Sequence, residues 1–342
     1  MAGALRAVKR LLDEKVGWNR VGIALSLTIL VVAAVVLYRI LRGMAFDEIG
    51  RALRATPAHA VALAGLFVAC GYATLTLYDL FALRTIGKSH VPYRIAALAG
   101  FTSYSVGHNV GITVLTGGAV RYRIYSTWGL TVIDVAKICF VAGLTFWLGN
   151  ATVLGLGIAL APDAASAIDH LPAWLNRILA GLTLAMLAAY IAWVWHKPRV
   201  IGKDNWEVTL PGGPLTLLQI VIGIADLGCC ALAMYVLLPA EPHVAFVPLA
   251  VIFVSATLLG FASAAPGGIG VFDVAILVAL LREQFARGDV VAGLLLFRLL
   301  YYIVPFALAL AILGIREMWL DVRVLARHEP PDTATGEPRD AG

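Results

Sequence analysis

The stretch VGIALSLTILVVAAVVLY, from Val21 to Tyr38, contains no acidic or basic residue. A helix of this length can cross the hydrocarbon core of a bilayer, which takes roughly 17 to 25 residues. The stretch continues into Arg39 rather than into a small-residue cleavage site. It therefore predicts a retained transmembrane helix and not a secretory signal peptide.

The composition of the whole chain extends that conclusion. Of 342 residues, 61% are hydrophobic and 14% are charged, whereas soluble domains carry about 25% charged residues. Secreted, nuclear and ordinary cytosolic proteins are thereby excluded. The net charge of +5 is better explained by basic residues that set membrane topology than by a nucleic-acid partner, so we expect no nucleic acid to bind.

Apolar windows of about 20 residues indicate six full spans. Two further apolar regions, 92–128 and 244–283, are interrupted by glycine clusters. A break in a helix leaves backbone N–H and C=O groups without partners, and within a membrane this is tolerated only where protein or a water-filled cavity can satisfy them. The sequence thus predicts an all-α polytopic inner-membrane protein, with about six full spans and two glycine-broken re-entrant hairpins. The predicted spans are 21–41, 58–80, 130–160, 173–195, 214–238 and 290–315.

The glycine pairs Gly117-Gly118 and Gly267-Gly268 occupy matching places, 150 residues apart, in the two hairpins. Two such halves, about 58–160 and 214–315, are typical of an inverted-repeat transporter whose substrate site lies where the breaks meet. The alternative is that these glycines only let helices pack closely.

The basic residues predict the orientation. If both hairpins return to the side from which they enter, 17 of the 26 Lys and Arg residues fall on one side and seven on the other. Because cytoplasmic loops hold the excess, we expect both termini in the cytoplasm. The predicted domains are a cytoplasmic N-terminus (1–20), a single transmembrane flippase-like domain (21–319) and a disordered cytoplasmic tail (320–342).

Charges within the apolar regions are costly and mark either a partner or a pathway. Asp134 and Lys137 lie one turn apart and are expected to pair. Arg298 is expected to pair with Asp226 or Asp273, and both a structural and a functional role stay open for that pair.

The first hairpin is the richer candidate site. His108 and Asn109 lie beside its first glycine break, where His108 either relays protons or hydrogen-bonds to a freed carbonyl. The second break, at Gly117-Gly118, is expected to open a helix whose N-terminus attracts an anion. Arg121 and Tyr125 share a face of that helix, and Arg121 and Arg123 would bind a lipid phosphate. The alternative is that both arginines snorkel to the headgroups.

No sequence motif indicates catalysis. The chain has no H-E-x-x-H, G-x-S-x-G or P-loop motif, and its four cysteines lie in apolar runs without ligand spacing. We therefore expect no enzyme activity, no metal and no cofactor.

The segment from Leu115 to Ser126, together with Gly129-Leu130-Thr131 and Phe146–Gly149, resembles the membrane domain of the lysylphosphatidylglycerol synthase/flippase (multiple peptide resistance factor) family. Tyr78–Arg84 and Ala265–Phe272 fit the same pattern. The resemblance implies a domain that moves aminoacylated phosphatidylglycerol to the outer leaflet. The family also has a cytosolic synthase domain, for which the chain to Gly342 leaves no room, so a stand-alone member is expected. The positions that match the family are Asp79, Arg84, Gly117, Gly118, Arg121, Arg123, Pro266, Gly267 and Gly268.

The expected function is that of a lipid translocase, which moves an anionic or aminoacylated phospholipid or a related lipid between the leaflets of a bacterial inner membrane. An intramembrane enzyme that uses His108, Asp79 or Asp273 as acid or base is one alternative. A scaffold for a separately encoded enzyme of lipid, hopanoid or glycolipid synthesis is another, and the oligomeric state is left open. The predicted lipid-binding and translocation residues are Asp79, Arg84, His108, Asn109, Gly117, Gly118, Arg121, Arg123, Tyr125, Pro266, Gly267, Gly268, Asp273 and Arg298.

Overall fold

The computed structural model describes residues 46–111, 113–195, 197, 199–203, 206–263 and 265–326. These residues form helices and one small β-hairpin. The predicted N-terminus and first span (1–20 and 21–41) lie outside the described residues. The helices are α1 (Phe46–Ala55), α2 (Ala58–Thr85), α3 (Tyr93–Val110), α4 (Thr113–Tyr125), α5 (Val132–Leu160), α6 (Pro162–Asp169), α7 (Ala173–Trp195), α8 (Gly213–Leu237), α9 (Phe246–Ala262), α10 (Val271–Arg282), α11 (Arg287–Phe297) and α12 (Val304–Ala326); the strands are β1 (Val200–Lys203) and β2 (Trp206–Thr209).

Five helices are long and apolar enough to cross a membrane: α2, α5, α7, α8 and the continuous helix Arg287–Met318. They coincide with five of the six predicted spans. The all-α, polytopic fold class is therefore confirmed, and the remaining predicted span is the one outside the described residues.

Two pairs of shorter helices lie between the spans, as the sequence predicts. The second arms, α4 and α10, have 13 and 12 residues. At 1.5 Å per residue they reach roughly 20 Å, which is less than the roughly 30 Å of the hydrocarbon core. The second arm of each pair is therefore too short to cross the membrane alone, as expected for the predicted re-entrant hairpins.

The described chain repeats one order of elements. Span α2, hairpin α3–α4 and span α5 are followed, about 155 residues later, by span α8, hairpin α9–α10 and the span that begins with α11. The single span α7 separates the halves. If each long helix crosses the membrane once, this additional crossing reverses the direction of the second half relative to the first, as the sequence predicts.

The break of the second hairpin lies where the sequence predicts it. Pro266–Gly268 form one 3-10 turn, and Gly267, Gly268 and Gly270 have φ of 62°, 60° and 86°. Such left-handed backbone strongly favours glycine, so this cluster determines the turn.

The predicted break at Gly117-Gly118 is wrong, because both glycines lie inside helix α4. The first hairpin breaks earlier, at Gly111, which has φ of 87°. A helical glycine costs only about 1 kcal/mol, and here it allows close packing, since a Cβ on Gly117 would lie 3.1 Å from the Ser103 carbonyl oxygen. The anion site expected at a helix N-terminus opened by this pair is therefore absent from its predicted place.

Two further elements differ from the predictions. The loop 196–213 contains the antiparallel hairpin β1–β2, in which Val200 pairs with Thr209 and Lys203 with Trp206. Helix α12 continues to Ala326, so it includes residues 320–326 of the predicted tail, whereas 327–342 lie outside the described residues.

Candidate functional site

A buried ion pair joins span α2 to the first hairpin. Arg121 of α4 donates hydrogen bonds from Nε to both carboxylate oxygens of Asp79 on α2, at 3.1 and 3.0 Å, and from Nη2 to Oδ1 at 2.7 Å. Asp79 is 0% exposed and Arg121 is 3% exposed. Charge-assisted bonds of this kind are the strong ones, and each ion compensates the burial of the other.

Two tyrosines complete this site. The Tyr125 hydroxyl donates to Asp79 Oδ2 at 2.8 Å. It does so from the same face of α4 as Arg121, four residues earlier, as the sequence predicts. The Tyr104 ring lies under the guanidinium, with its centroid 4.6 Å from Arg121 Cζ. This aromatic face adds a cation–π contact on a third helix, α3.

Small residues let these helices approach. A Cβ on Gly100 of α3 would lie 3.2 Å from the Leu75 carbonyl oxygen and 3.5 Å from Asp79 Cβ. On α4, a Cβ on Gly117 would lie 3.4 Å from Arg121 Nη1. The hairpin can thus press against α2 until its arginine reaches the carboxylate.

A second ion pair lies in the other half. Arg298 donates from Nε to Asp273 Oδ1 at 2.7 Å and from Nη2 to Oδ2 at 2.5 Å. Its Nη1 donates to the Gly267 carbonyl oxygen at 3.3 Å. Asp273 also accepts from the Gly270 backbone nitrogen at 2.9 Å, so it caps α10. Of the two acids expected as the partner of Arg298, the structure shows Asp273. The contacts of Arg298 connect the last span to the second glycine break.

The two hairpins meet at a widened turn of the last span. Residues Arg298–Ile303 form a π-helical segment. The carbonyl of Tyr301 accepts from the Tyr72 hydroxyl at 3.0 Å, and that of Tyr302 accepts from Asn109 Nδ2 at 3.2 Å. A π-helical turn leaves carbonyls available in this way and is frequent at functional sites.

His108 lies among rings at this meeting point. Its imidazole is 5.7 Å from the Tyr104 ring, 5.8 Å from Phe261 and 6.2 Å from Tyr301, measured between centroids. Phe261 is on α9 and Tyr301 on the π-helical segment, so His108 and Asn109 join the first hairpin to both parts of the second half. We name Tyr104, His108, Phe261 and Tyr301 the junction cluster.

Other predicted residues lie apart from this site. Arg123 pairs with Glu317 on α12 at 2.6 Å, so the two arginines expected to share a phosphate diverge. Arg84 is exposed near the end of α2. The expected Asp134–Lys137 pair is wrong. Asp134 instead caps α5 through Thr131 and pairs with Lys88 at 3.2 Å.

An apolar groove of about 810 Å³ runs along the outside of the first hairpin, between α4 and α5. Gly118 and Cys139 line it between the two helices, and Trp147 and Trp206 also line it. Trp147 is 61% exposed, so the groove opens where lipid tails would lie. Cys139 also interacts with Arg121, which places the groove beside the first ion pair.

Tyr78 and Tyr104 are not among the predicted site residues, and Asp226, one of the two acids expected to pair with Arg298, does not pair with it. Asp226 lies in the middle of span α8 and is 4% exposed. It accepts from the Tyr78 hydroxyl at 3.1 Å. Thr74 Oγ1 lies 3.3 Å from its carboxylate and donates over 2.6 Å to the Gly71 carbonyl oxygen. The position of Tyr78 directly before Asp79 was the available signal.

Comparison with known sequences identifies relatives of three kinds. An uncharacterized protein of Synechocystis, slr0712, is 33% identical over 75% of this chain and 80% of its own length. The Inner membrane protein YbhN of Escherichia coli is 29% identical over 78% of this chain and 82% of its own length. Phosphatidylglycerol lysyltransferase of Staphylococcus haemolyticus is 27% identical over 72% of this chain but only 28% of its own length.

The resemblance inferred from the motifs is thus supported at the level of homology, and the homologous segment is less than a third of that lysyltransferase. No protein-family model matches the chain. The long apolar helices and the similarity to YbhN identify a multi-pass inner-membrane protein. With a third of its aligned residues identical over most of both chains, it belongs to the family that includes the Synechocystis protein slr0712.

Proposed function

We propose that this protein moves an anionic or aminoacylated phospholipid between the leaflets of the inner membrane. The observation that carries the proposal is the buried Asp79–Arg121 pair, in which a full cation is held inside a membrane domain that also contains two helical breaks. Charges in such positions are rare and mark substrate pathways.

The relatives support the class of lipid. Phosphatidylglycerol lysyltransferase is named for a reaction on an anionic phospholipid, and about 70 to 85% of this chain aligns with enzymes of that name. A phosphodiester offers two oxygens to a planar guanidinium, which binds such groups in a bidentate manner. Arg121 already makes this kind of contact with the Asp79 carboxylate.

Transport then requires an exchange at Arg121. A lipid phosphate that reaches the guanidinium takes the place of Asp79, while Tyr125 remains to donate a hydrogen bond to the released carboxylate. The Tyr104 ring keeps Arg121 in position during the exchange. The acyl tails stay in hydrocarbon, along the groove beside Cys139 and Gly118.

The π-helical segment and the junction cluster provide a continuation of the path. Arg298 lies at the second glycine break, so a headgroup that leaves Arg121 meets another guanidinium in the opposite half. Arg298 has 13% of its side chain exposed and Asp273 has 27%, and this second pair is therefore the more accessible of the two.

Purified protein in proteoliposomes tests the proposal directly. Fluorescent phosphatidylglycerol, lysyl-phosphatidylglycerol and phosphatidylcholine are placed in separate preparations, and a membrane-impermeant reductant destroys the fluorophores of the outer leaflet. We expect the protected inner-leaflet fraction to disappear for the anionic or aminoacylated lipid. Protection equal to that of empty vesicles for every headgroup would contradict the proposal.

Two variants sharpen the test. Arg121→Lys keeps a charge but loses the bidentate geometry, so we expect slower transfer by the folded protein. Lys88→Ala is the matched control, because it removes a cation from a partly exposed pair with Asp134 and should leave the rate unchanged. An intramembrane enzyme would instead convert the fluorescent lipid into a new species, which chromatography of the same vesicles detects.

A further inference from the structure

Asp226 differs from Asp79, which is equally buried, and from Asp273, which is partly exposed. Asp79 and Asp273 are each held by an arginine. In the part of the chain that the structure describes, Asp226 has no basic side chain within ion-pair distance. Its contacts are hydroxyl groups, from Tyr78 at 3.1 Å and from Thr74 at 3.3 Å.

The titratable groups that face Asp226 likewise include no base. They come from α2, α3, α8 and the π-helical segment, and all are phenols or thiols: Tyr72, Tyr78, Tyr104, Tyr301, Cys229 and Cys230. None of them carries a positive charge. An ionised carboxylate here would remain uncompensated, which costs several kcal/mol in a membrane interior.

The hydrogen bonds of Asp226 lead to the first ion pair. Tyr78 precedes Asp79 on α2, and its ring packs edge-on against Tyr104 with centroids 6.0 Å apart. Tyr104 in turn lies under the Arg121 guanidinium. A change in the charge of Asp226 therefore acts on a tyrosine that touches the elements holding Asp79 and Arg121.

We propose that Asp226 is a proton-binding site, whose loading with one proton is coupled through Tyr78 to the opening of the Asp79–Arg121 pair. The ionised carboxylate accepts from the Tyr78 hydroxyl at 3.1 Å and so holds α2 against α8. Thr74 Oγ1 lies 3.3 Å from the carboxylate, but its shorter hydrogen bond, of 2.6 Å, goes to the Gly71 carbonyl oxygen. Uptake of a proton from water forms a neutral carboxyl that can donate a hydrogen bond itself, and the hold on Tyr78 weakens. The coupling to transport rests on the proposed lipid translocation, whereas the proton site does not.

Infrared difference spectroscopy of the full chain in lipid tests the proton site without any transport. Spectra are recorded at two pH values that both lie above about 4, where exposed carboxyls titrate, and are then subtracted. A carbonyl stretch of a protonated carboxyl should appear in the difference spectrum of the wild-type protein. It should be lost in Asp226→Asn and kept in Asp134→Asn, whose carboxylate is at the end of a helix. In Tyr78→Phe the band should persist at a changed frequency, because one hydrogen-bond partner is gone.

The outcomes are decisive in each case. A wild-type protein without such a band, or a band that survives in folded Asp226→Asn, overturns the proposal. Size-exclusion chromatography and circular dichroism establish that the variant is folded. The band of the wild-type protein itself remains a test if Asp226→Asn does not fold.

A pH gradient across the proteoliposomes tests the coupling. We expect the transfer rate of fluorescent phosphatidylglycerol to respond to the gradient in the wild-type protein and to lose that response in Asp226→Asn. A wild-type rate independent of the gradient, or an unchanged response in the variant, contradicts the coupling. If the wild-type protein moves no lipid at all, the proposed function fails, and the infrared result still decides whether Asp226 binds a proton.

Discussion

Arg121 and Asp79 lie 42 positions apart in the chain and are joined by three hydrogen bonds, with both side chains almost fully buried. The guanidinium is bound inside the protein at Asp79 and is 3% exposed, whereas the snorkelling alternative expects an exposed charge. It attaches the second arm of a broken hairpin to a full span. Since the attachment consists of two opposite charges, it is the contact at which the proposed exchange with a lipid phosphate would occur.

Replacement of Arg121 by Ala should destabilise the protein strongly. The change leaves the Asp79 carboxylate buried without its cation, which costs about 3–5 kcal/mol where it has been measured. Fluorescence-detected chromatography after heating in detergent measures the loss. A second variant, Asp79→Leu with Arg121→Met, removes both charges and should regain most of the stability but no transport.

The double variant separates structure from function. If it transports lipid like the wild-type protein, the pair serves packing alone. If Arg121→Ala is as stable as the control Lys88→Ala, the pair contributes no more than an exposed ion pair, for which about 0–1 kcal/mol is usual.

Tyr125→Phe should cause a smaller loss than Arg121→Ala. The change removes one hydrogen bond to a charged group, worth about 1.5–3 kcal/mol, and keeps the ring and the ion pair. Tyr122→Phe is the matched control on the same helix, where the side chain lines the apolar groove. Equal melting temperatures for the two variants would show that the 2.8 Å contact with Asp79 contributes nothing.

The crossing of α5 and α8 should not tolerate a single added methyl group. A Cβ on Gly149 would lie 2.7 Å from Gly223 Cα, and a Cβ on Gly223 would lie 2.9 Å from the Thr145 carbonyl oxygen. We therefore expect Gly149→Ala and Gly223→Ala to reduce the yield of folded protein, because the backbones have to separate. Gly228→Ala is the control on α8, since its Cβ would meet no atom within 4 Å. Similar yields for all three variants would refute the close approach.

The sequence predicts the spans well because long uncharged stretches have one stable arrangement in a bilayer. It also locates the second break, since Pro266 and its glycines adopt backbone angles that other residues avoid. The Arg298–Asp273 pair follows from the scarcity of charges, which leaves few partners.

The other features of the site depend on contacts between helices, which the spacing of residues in the sequence does not reveal. The sequence predicts a helix break at Gly117-Gly118. In the structure both glycines lie within one helix, and Gly117 packs closely against the backbone of Ser103. The sequence predicts that Arg121 and Arg123 bind one phosphate together. Helical positions two residues apart point in different directions, however, and the two arginines pair with different acids, Asp79 and Glu317. The π-helical turn and the cation-free surroundings of Asp226 leave no local signal at all.

The orientation of the two halves gives the last prediction. In a background without native cysteines, single cysteines replace Ser89, Leu171, Glu207 and Glu283, which are exposed residues in four separate connections. The basic residues place Ser89 and Glu207 in the cytoplasm, so an impermeant thiol reagent should label them only after the cells are opened. Leu171→Cys and Glu283→Cys should react in intact cells, because an odd number of spans separates them from the first two sites. Labelling of Ser89→Cys and Leu171→Cys from the same side would mean that α5 does not cross the membrane, and the second half would then not be inverted relative to the first.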